Sequence, residues 1–156
     1  MTLVRPHLEY ANIIWGPHYK GDQQLVEKVQ KRATKMIENL GNLSYELRLR
    51  YLNLPSLQHR RRRGDMIMTY KIMTGCVRVD KNELFKLRDN STTRGHSYKI
   101  FKRHATSFNK QSTFRNRIVN DWNSLPDYVI NSKNVNTFKN ALDKYWYDIK
   151  FETPFT

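Results

Sequence analysis

Four consecutive arginines, Arg60 to Arg63, are the residues of this sequence with the most evident chemistry. A guanidinium group is always charged and can bind a phosphate through two parallel hydrogen bonds. Four in a row surround a complete helical turn, so at least two must point away from the core on which that helix packs. The sequence therefore predicts phosphate binding by Arg60, Arg61, Arg62 and Arg63.

Two further basic groups extend this prediction. Lys28, Lys31, Arg32 and Lys35 recur at i, i+3, i+4 and i+7, which places them along one side of a helix. Such a row could follow a nucleic-acid backbone, and simple solvation explains it equally well. The second group mixes cations with aromatic residues, as proteins that bind single strands do. Its predicted binding residues are Lys99, Lys102, Arg103, Arg115 and Arg117.

The charge of the chain is concentrated in its middle. The whole sequence has 28 basic and 14 acidic residues, a net charge of +14. Residues 54–120 carry 16 basic and 4 acidic residues (+12), whereas residues 1–53 carry 8 and 5 (+3) and residues 121–156 carry 4 and 5 (−1). Such a distribution indicates a basic surface patch for a polyanionic partner, RNA or DNA ahead of an anionic membrane.

Catalytic and metal-binding patterns are missing from the sequence. It has no phosphate-binding glycine loop, no Gly-x-Ser-x-Gly elbow and no His-Glu-x-x-His pair. Its acidic residues are scattered singly, whereas polymerases and nucleases cluster carboxylates around two metal ions. Cys76 is the sole cysteine, and the five histidines lie in no zinc spacing. We expect no cofactor, no metal and no membrane span, and an intracellular, nuclear location.

Hydrophobic periodicity predicts the elements that must position these side chains. The expected fold is mainly α, with five to six amphipathic helices and a small β-hairpin-like element near residues 97–108. Helices are predicted over 2–14, 23–39 and 44–52, between Pro55 and Gly75, from Ser112 to Pro126, and from Asn134 onwards, with one helical turn at 82–85.

The helix predicted at 23–39 has the clearest apolar pattern. Asp22 is its expected N-cap. A side chain recurring at three or four residues along a helix faces one direction, so we expect these apolar residues to be buried. They are Leu25, Val26, Val29, Ala33, Met36 and Ile37.

Several segments, in this order, are similar to the region after the catalytic palm in reverse transcriptases of non-LTR (LINE-type, jockey-like) retrotransposons. They cover nearly the whole chain. The segments are LVRPHLEYA at 3–11, IWGP at 14–17, LVEKVQKRATK at 25–35, YELRL at 45–49, LNLPSL at 52–57, RRRGD at 61–65, TRG at 93–95, FRNRIVNDWNSLP at 114–126 and VNTFK at 135–139.

The resemblance implies a thumb and a C-terminal extension that grip template RNA and primer DNA. Together with the sequence pattern, it divides the chain into a thumb-like helical region (1–75), a mixed linker (76–97), a C-terminal helical extension with a short β element (98–150) and a loose tail (151–156). It also implies that the fingers, the catalytic palm and any endonuclease would lie before Met1. We therefore expect no polymerase activity from this chain alone.

Two hypotheses follow for the function. The first is a nucleic-acid-binding fragment of such a reverse transcriptase, which binds RNA, DNA or both and has the rest of that enzyme as a further candidate partner. The alternative is a protein-interaction module that docks on the missing palm or on an acidic partner, with its basic residues serving that contact.

Overall fold

The computed structural model describes residues 17, 19–88, 95–104 and 107–151, and it confirms a mainly α-helical fold. The predicted helix at 2–14, residues 89–94 of the predicted linker and nearly all of the predicted tail lie outside the described residues. The helices are α1 (Lys20–Lys35), α2 (Tyr45–Tyr51), α3 (Leu57–Met73), α4 (Lys81–Leu84), α5 (Phe108–Gln111), α6 (Phe114–Ser124), α7 (Asp127–Ile130) and α8 (Val135–Tyr145).

Local signals set most helix ends. The Ser44 hydroxyl accepts a hydrogen bond from Leu47 N, and the Asn134 amide oxygen accepts one from Thr137 N, so each residue caps the helix that was predicted to begin there. Gly75, just after α3, has the positive φ of 72° that terminates many helices. Two other predicted helix starts are wrong, because Asp22 lies inside α1, whose N-cap is Tyr19, and α6 begins after Thr113 rather than at Ser112.

The chain forms two compact units, one made of residues 1–62 and 146–156 and the other of residues 63–145. The boundary falls inside α3, between Arg62 and Arg63. The linker predicted at 76–97 lies within the second unit, and its role as a domain boundary stays a prediction.

In the first unit, α1 packs with its polar face inward. Glu27, Gln30 and Thr34 are buried, with at most 1% of their surface exposed. The prediction that the apolar stripe of this helix is buried is wrong for four of its six residues. Leu25, Val29, Met36 and Ile37 are exposed, whereas Val26 and Ala33 are half-buried.

Hydrogen bonds explain this inversion. The Glu27 carboxylate accepts a bond of 2.6 Å from the Tyr45 hydroxyl and one of 3.1 Å from Leu57 N, at the first turn of α3. Burial, together with the neighbouring Glu27 charge, raises the pKa of Tyr45. The buried Arg48 side chain donates to Thr34 Oγ1 at 3.2 Å and to the carbonyl oxygen of Lys31. Buried polar groups that find partners in this way fix the orientation of the helix.

The second unit has an apolar core built from α3, α6, α7 and α8. Trp122 and Phe138 are completely buried, and the Tyr70 ring stacks on Phe138 with centroids 4.3 Å apart. Trp122 Nε1 donates to the carbonyl oxygen of Tyr98 at 2.8 Å. His96 Nε2 donates to the carbonyl oxygen of Trp122, and burial lowers the pKa of this histidine.

The small β element is not shown as a hairpin. Among the described residues of 97–108, Ile100 forms an isolated antiparallel bridge with Leu87, and α5 begins at Phe108. Phe101 N donates to the carbonyl oxygen of Lys86 at 2.7 Å, and Arg88 N to that of Lys99 at 2.9 Å. The partner of this extended segment therefore comes from the residues after α4 and not from a neighbouring turn.

Candidate nucleic-acid interface

The arginine turn, Arg60–Arg63, is largely engaged within the protein. Arg61 is buried with 8% of its surface exposed, and the other three side chains are half-buried. In the first unit, the Arg62 guanidinium lies over the Trp146 ring, 5.1 Å from its centroid. That position gives the cation a favourable contact with the negative face of the ring.

In the second unit, Arg63 forms a two-point ion pair with Asp143. Its Nε and Nη2 donate to the two carboxylate oxygens at 2.5 and 2.8 Å. The hydrogen bond to Asp143 raises the pKa of Arg63. The proposed role of Arg60–Arg63 in phosphate binding stays a prediction. The contacts of Arg62 with Trp146 and of Arg63 with Asp143 hold these two guanidinium groups within the protein.

The basic row on α1 is placed differently. Lys28, Lys31, Arg32 and Lys35 are all exposed, on a helix whose buried side is formed by Glu27, Gln30 and Thr34. Their binding role stays a prediction.

The mixed basic and aromatic residues of the second unit come together at one place. Two adjoining cavities, of about 210 and 480 Å³, lie between the segment 100–104 and the first turn of α6. They share Arg103, His104 and Asn116, and we call them together the basic cleft. Its exposed lysines and arginines are Lys86, Lys102, Arg103, Lys110 and Arg115.

Backbone and side-chain bonds hold the two walls of the cleft. The Asn123 amide donates to the carbonyl oxygen of Ile100 and accepts from Ile100 N, both at 2.9 Å, which ties the extended segment to α6. On the other wall, Asn116 Nδ2 and Thr113 Oγ1 both donate to the carbonyl oxygen of Lys110, at 2.6 and 2.8 Å. These bonds orient the main chain, so the lysine and arginine side chains extend from a fixed frame.

Phe101 supplies an aromatic surface beside these cations. Its side chain is 45% exposed, and Lys86 Nζ lies 5.4 Å from its ring centroid. Phe85, which also lines the smaller cavity, packs against Phe114, with the two ring centroids 6.2 Å apart. Phe101 is therefore the exposed ring of the three, whereas Phe85 is buried and Phe114 is half-buried.

The charged side chains that line the cleft are all basic. None of the described residues that line its two cavities is acidic. Cations gathered on a concave surface without compensating carboxylates attract polyanions strongly. Such an arrangement can bind phosphates with its guanidinium and ammonium groups and stack a base on Phe101.

The five predicted residues of the mixed basic and aromatic group differ in how accessible they are to a ligand in the cleft. Arg117 lines the larger cavity, but its Nε and Nη2 donate to the two oxygens of Asp65, each at 2.8 Å. Lys99 is half-buried and does not line either cavity, although its carbonyl oxygen holds Arg88 N. Lys102, Arg103 and Arg115 are the three predicted residues that the cleft exposes.

Sequence reasoning missed Lys86 and Lys110 as members of this site. Each lies in an irregular or short helical segment and belongs to no run or helical row of cations that would mark it. Pairing of 86–88 with 99–101 brings Lys86 to the cleft, and nothing short-range in the sequence signals that pairing.

Metal and membrane signals are absent from the described part of the chain. Within 19–88, 95–104 and 107–151, no three His, Cys, Asp or Glu side chains are arranged to hold a metal ion. No helix found in those ranges has the length and apolar character needed to cross a bilayer.

No family model, no curated protein and no solved structure matches this chain.

Proposed function

We propose that this chain binds nucleic acid through the basic cleft of its second unit. The observation that carries the proposal is the convergence of five exposed cations on a concave surface. Among the residues that the structure describes, no carboxylate lines this surface. The resemblance to the C-terminal region of non-LTR reverse transcriptases supports RNA template and primer DNA as the ligands, in a nuclear setting. The chain would hold these strands without catalysing their extension.

The chemistry of the cleft favours single-stranded ligands. Arg103 lies at the junction of both cavities, so it can bind a phosphate while Lys102 and Arg115 bind the phosphates on either side. Phe101 is exposed next to them, and an unpaired base can stack on its ring. A duplex hides its base faces, so it would use the cations alone.

The test is to remove three cleft cations and measure RNA binding. The variant carries Lys102→Ala, Arg103→Ala and Arg115→Ala, and binding of a labelled single-stranded RNA is followed by fluorescence anisotropy at several salt concentrations. We expect a loss of affinity of at least about tenfold and a salt slope, log K against log salt, that falls by about 2 to 3. The unchanged protein should bind this RNA more tightly than a duplex of equal length.

A matched control removes the same charge elsewhere in the second unit. Arg78, Lys133 and Lys144 are exposed and line neither cavity of the cleft. Their replacement by alanine lowers the net charge by the same three units and should change the affinity much less. Equal losses in both variants would mean that only the total charge attracts RNA, and the cleft proposal would be wrong.

A further inference from the structure

The outward face of α1 has a stripe of apolar side chains that stay exposed in the described part of the first unit. Leu25, Val29 and Met36 are 60%, 43% and 86% exposed. Steps of four and seven residues keep these side chains within about 40° of one another around the helix. We call these three residues the outer stripe, and along the helix axis they extend over about 16 Å.

The packing of the first unit explains why the outer stripe faces solvent. The opposite side of α1 carries Glu27, Gln30 and Thr34, and each is hydrogen-bonded to another part of this unit. Gln30 Nε2 donates to the Tyr45 hydroxyl at 3.2 Å and to the carbonyl oxygen of Pro55 at 3.3 Å. Turning the helix to bury the stripe would break these buried bonds, and each broken bond would leave an unsatisfied polar group.

A cationic border runs along one side of the outer stripe. Lys28 and Arg32 follow Leu25 and Val29 by three residues, a step that turns back about 60° around the helix. Both are therefore on the same side of the stripe, and Lys35 continues that border. The opposite border has Val26 and Ala33, which are half-buried.

These features discriminate among possible occupants. An RNA backbone would bind the cations and gain nothing from Leu25, Val29 and Met36. A second copy of this chain packed antiparallel would bring the cationic border against itself, since equivalent flanks face each other in that arrangement. The net charge of +14 also opposes association of two copies.

We propose that the outer stripe of α1 is a docking surface for an amphipathic helix of another protein, one with an apolar stripe flanked by Asp or Glu. Helix-in-groove recognition uses apolar anchors at this spacing, and flanking charges select the partner. The charge complementarity of Lys28, Arg32 and Lys35 specifies the acidic flank. The proposal does not depend on nucleic-acid binding by the cleft.

The probe is a labelled synthetic helical peptide of about 20 residues, long enough to cover the stripe, with leucines at helical spacing and glutamates on the flank. A second peptide replaces these glutamates by lysines. Binding to the full chain is measured by fluorescence anisotropy. We expect the glutamate peptide to bind at least about tenfold more tightly than the lysine peptide.

Two variants test the surface. Replacing Leu25, Val29 and Met36 by glutamine should reduce binding of the glutamate peptide by at least about tenfold. The melting temperature should change little, because these side chains are already exposed. In the matched control, Leu47 and Tyr51, which are exposed on α2 of the same unit, are replaced by glutamine in the same way. This variant should bind the peptide as the unchanged chain does.

The charge-reversal variant Lys28→Glu with Lys35→Glu keeps the apolar stripe and should invert the preference between the two peptides. This variant tests the proposal even if the glutamine variant does not fold. Equal binding of the two peptides, or undiminished binding by a folded glutamine variant, would overturn the proposal. So would a fall in self-association or in RNA affinity as the main effect of the glutamine substitutions.

The cleft variant separates this proposal from the proposed function. The chain with Lys102→Ala, Arg103→Ala and Arg115→Ala should bind the glutamate peptide as the unchanged chain does. Loss of peptide binding in that variant would contradict docking on α1, whereas loss of RNA binding alone concerns the cleft.

Discussion

The arginine turn and the basic cleft differ in how far their positive charges are exposed to solvent. Arg60–Arg63 is the densest run of positive charge, yet Arg61 is buried, Arg62 lies over Trp146 and Arg63 is paired with Asp143. The cleft draws Lys86, Lys102, Arg103, Lys110 and Arg115 from separate segments and exposes all five. Dense charge on a helix that contributes to a core must be neutralised or covered, whereas scattered charge can be gathered on a surface.

The same contrast exists within α6, between Arg115 and Arg117. Arg115 is exposed in the cleft, while Arg117, two residues later, is turned about 200° around the helix. It meets Asp65, whose side chain is only 9% exposed. We therefore expect substitutions at the paired or buried arginines to lower stability, and substitutions at the exposed cations of the cleft to weaken RNA binding.

The largest effect is expected from Asp65→Ala. This change leaves the Arg117 guanidinium, 24% exposed, without the carboxylate that accepts two of its hydrogen bonds. Breaking one side of a largely buried pair costs about 3 to 5 kcal/mol, so the free energy of unfolding should fall by about that much in urea titrations. Asp148→Ala removes an exposed carboxylate and should change stability by less than about 0.5 kcal/mol.

A smaller loss is expected from Arg61→Ala. Its side chain is 8% exposed, so truncation removes buried packing and should lower the free energy of unfolding by about 2 kcal/mol. RNA affinity should stay the same under conditions where the variant is folded. Arg115→Ala should give the reverse result, with unchanged stability and weaker RNA binding.

Arg61→Ala would contradict the contrast between the arginine turn and the basic cleft if the variant kept full stability and weakened RNA binding as much as Arg115→Ala does. The turn would then be part of the interface, as the sequence alone predicts.

The smallest effect is expected for the ion pair of Arg63 and Asp143. Their side chains are 30% and 46% exposed, so solvent screens the pair strongly. A double-mutant cycle with alanine at each position should give a coupling energy of at most about 1 kcal/mol, and added salt should reduce it. A coupling that is larger and independent of salt would mean that the turn is held much more tightly than its exposure indicates.

The sequence predicted the positions of helices better than it predicted which side chains are exposed. The helix starts at Ser44 and Asn134 and the glycine after α3 are correct, and the starts expected at Asp22 and Ser112 are off by at most three residues, because these signals act within about one helical turn. Arg103 and Arg115 were recognised from their aromatic neighbours, whereas Lys86 and Lys110 were not. Of the thirteen predicted binding residues, Arg61 is buried and Arg63 and Arg117 are paired with carboxylates.

The sequence by itself determines that this chain is helical and strongly basic in its middle, since helical periodicity and charge are properties of neighbouring residues. Tertiary structure decides which side of α1 faces inward and which cations stay accessible. The deciding partners are distant in the chain: Tyr45 lies 18 residues from Glu27, Asp65 lies 52 from Arg117, and Asp143 lies 80 from Arg63. Only the packed chain brings such groups within hydrogen-bonding distance, and their bonds outweigh the apolar pattern of a single helix.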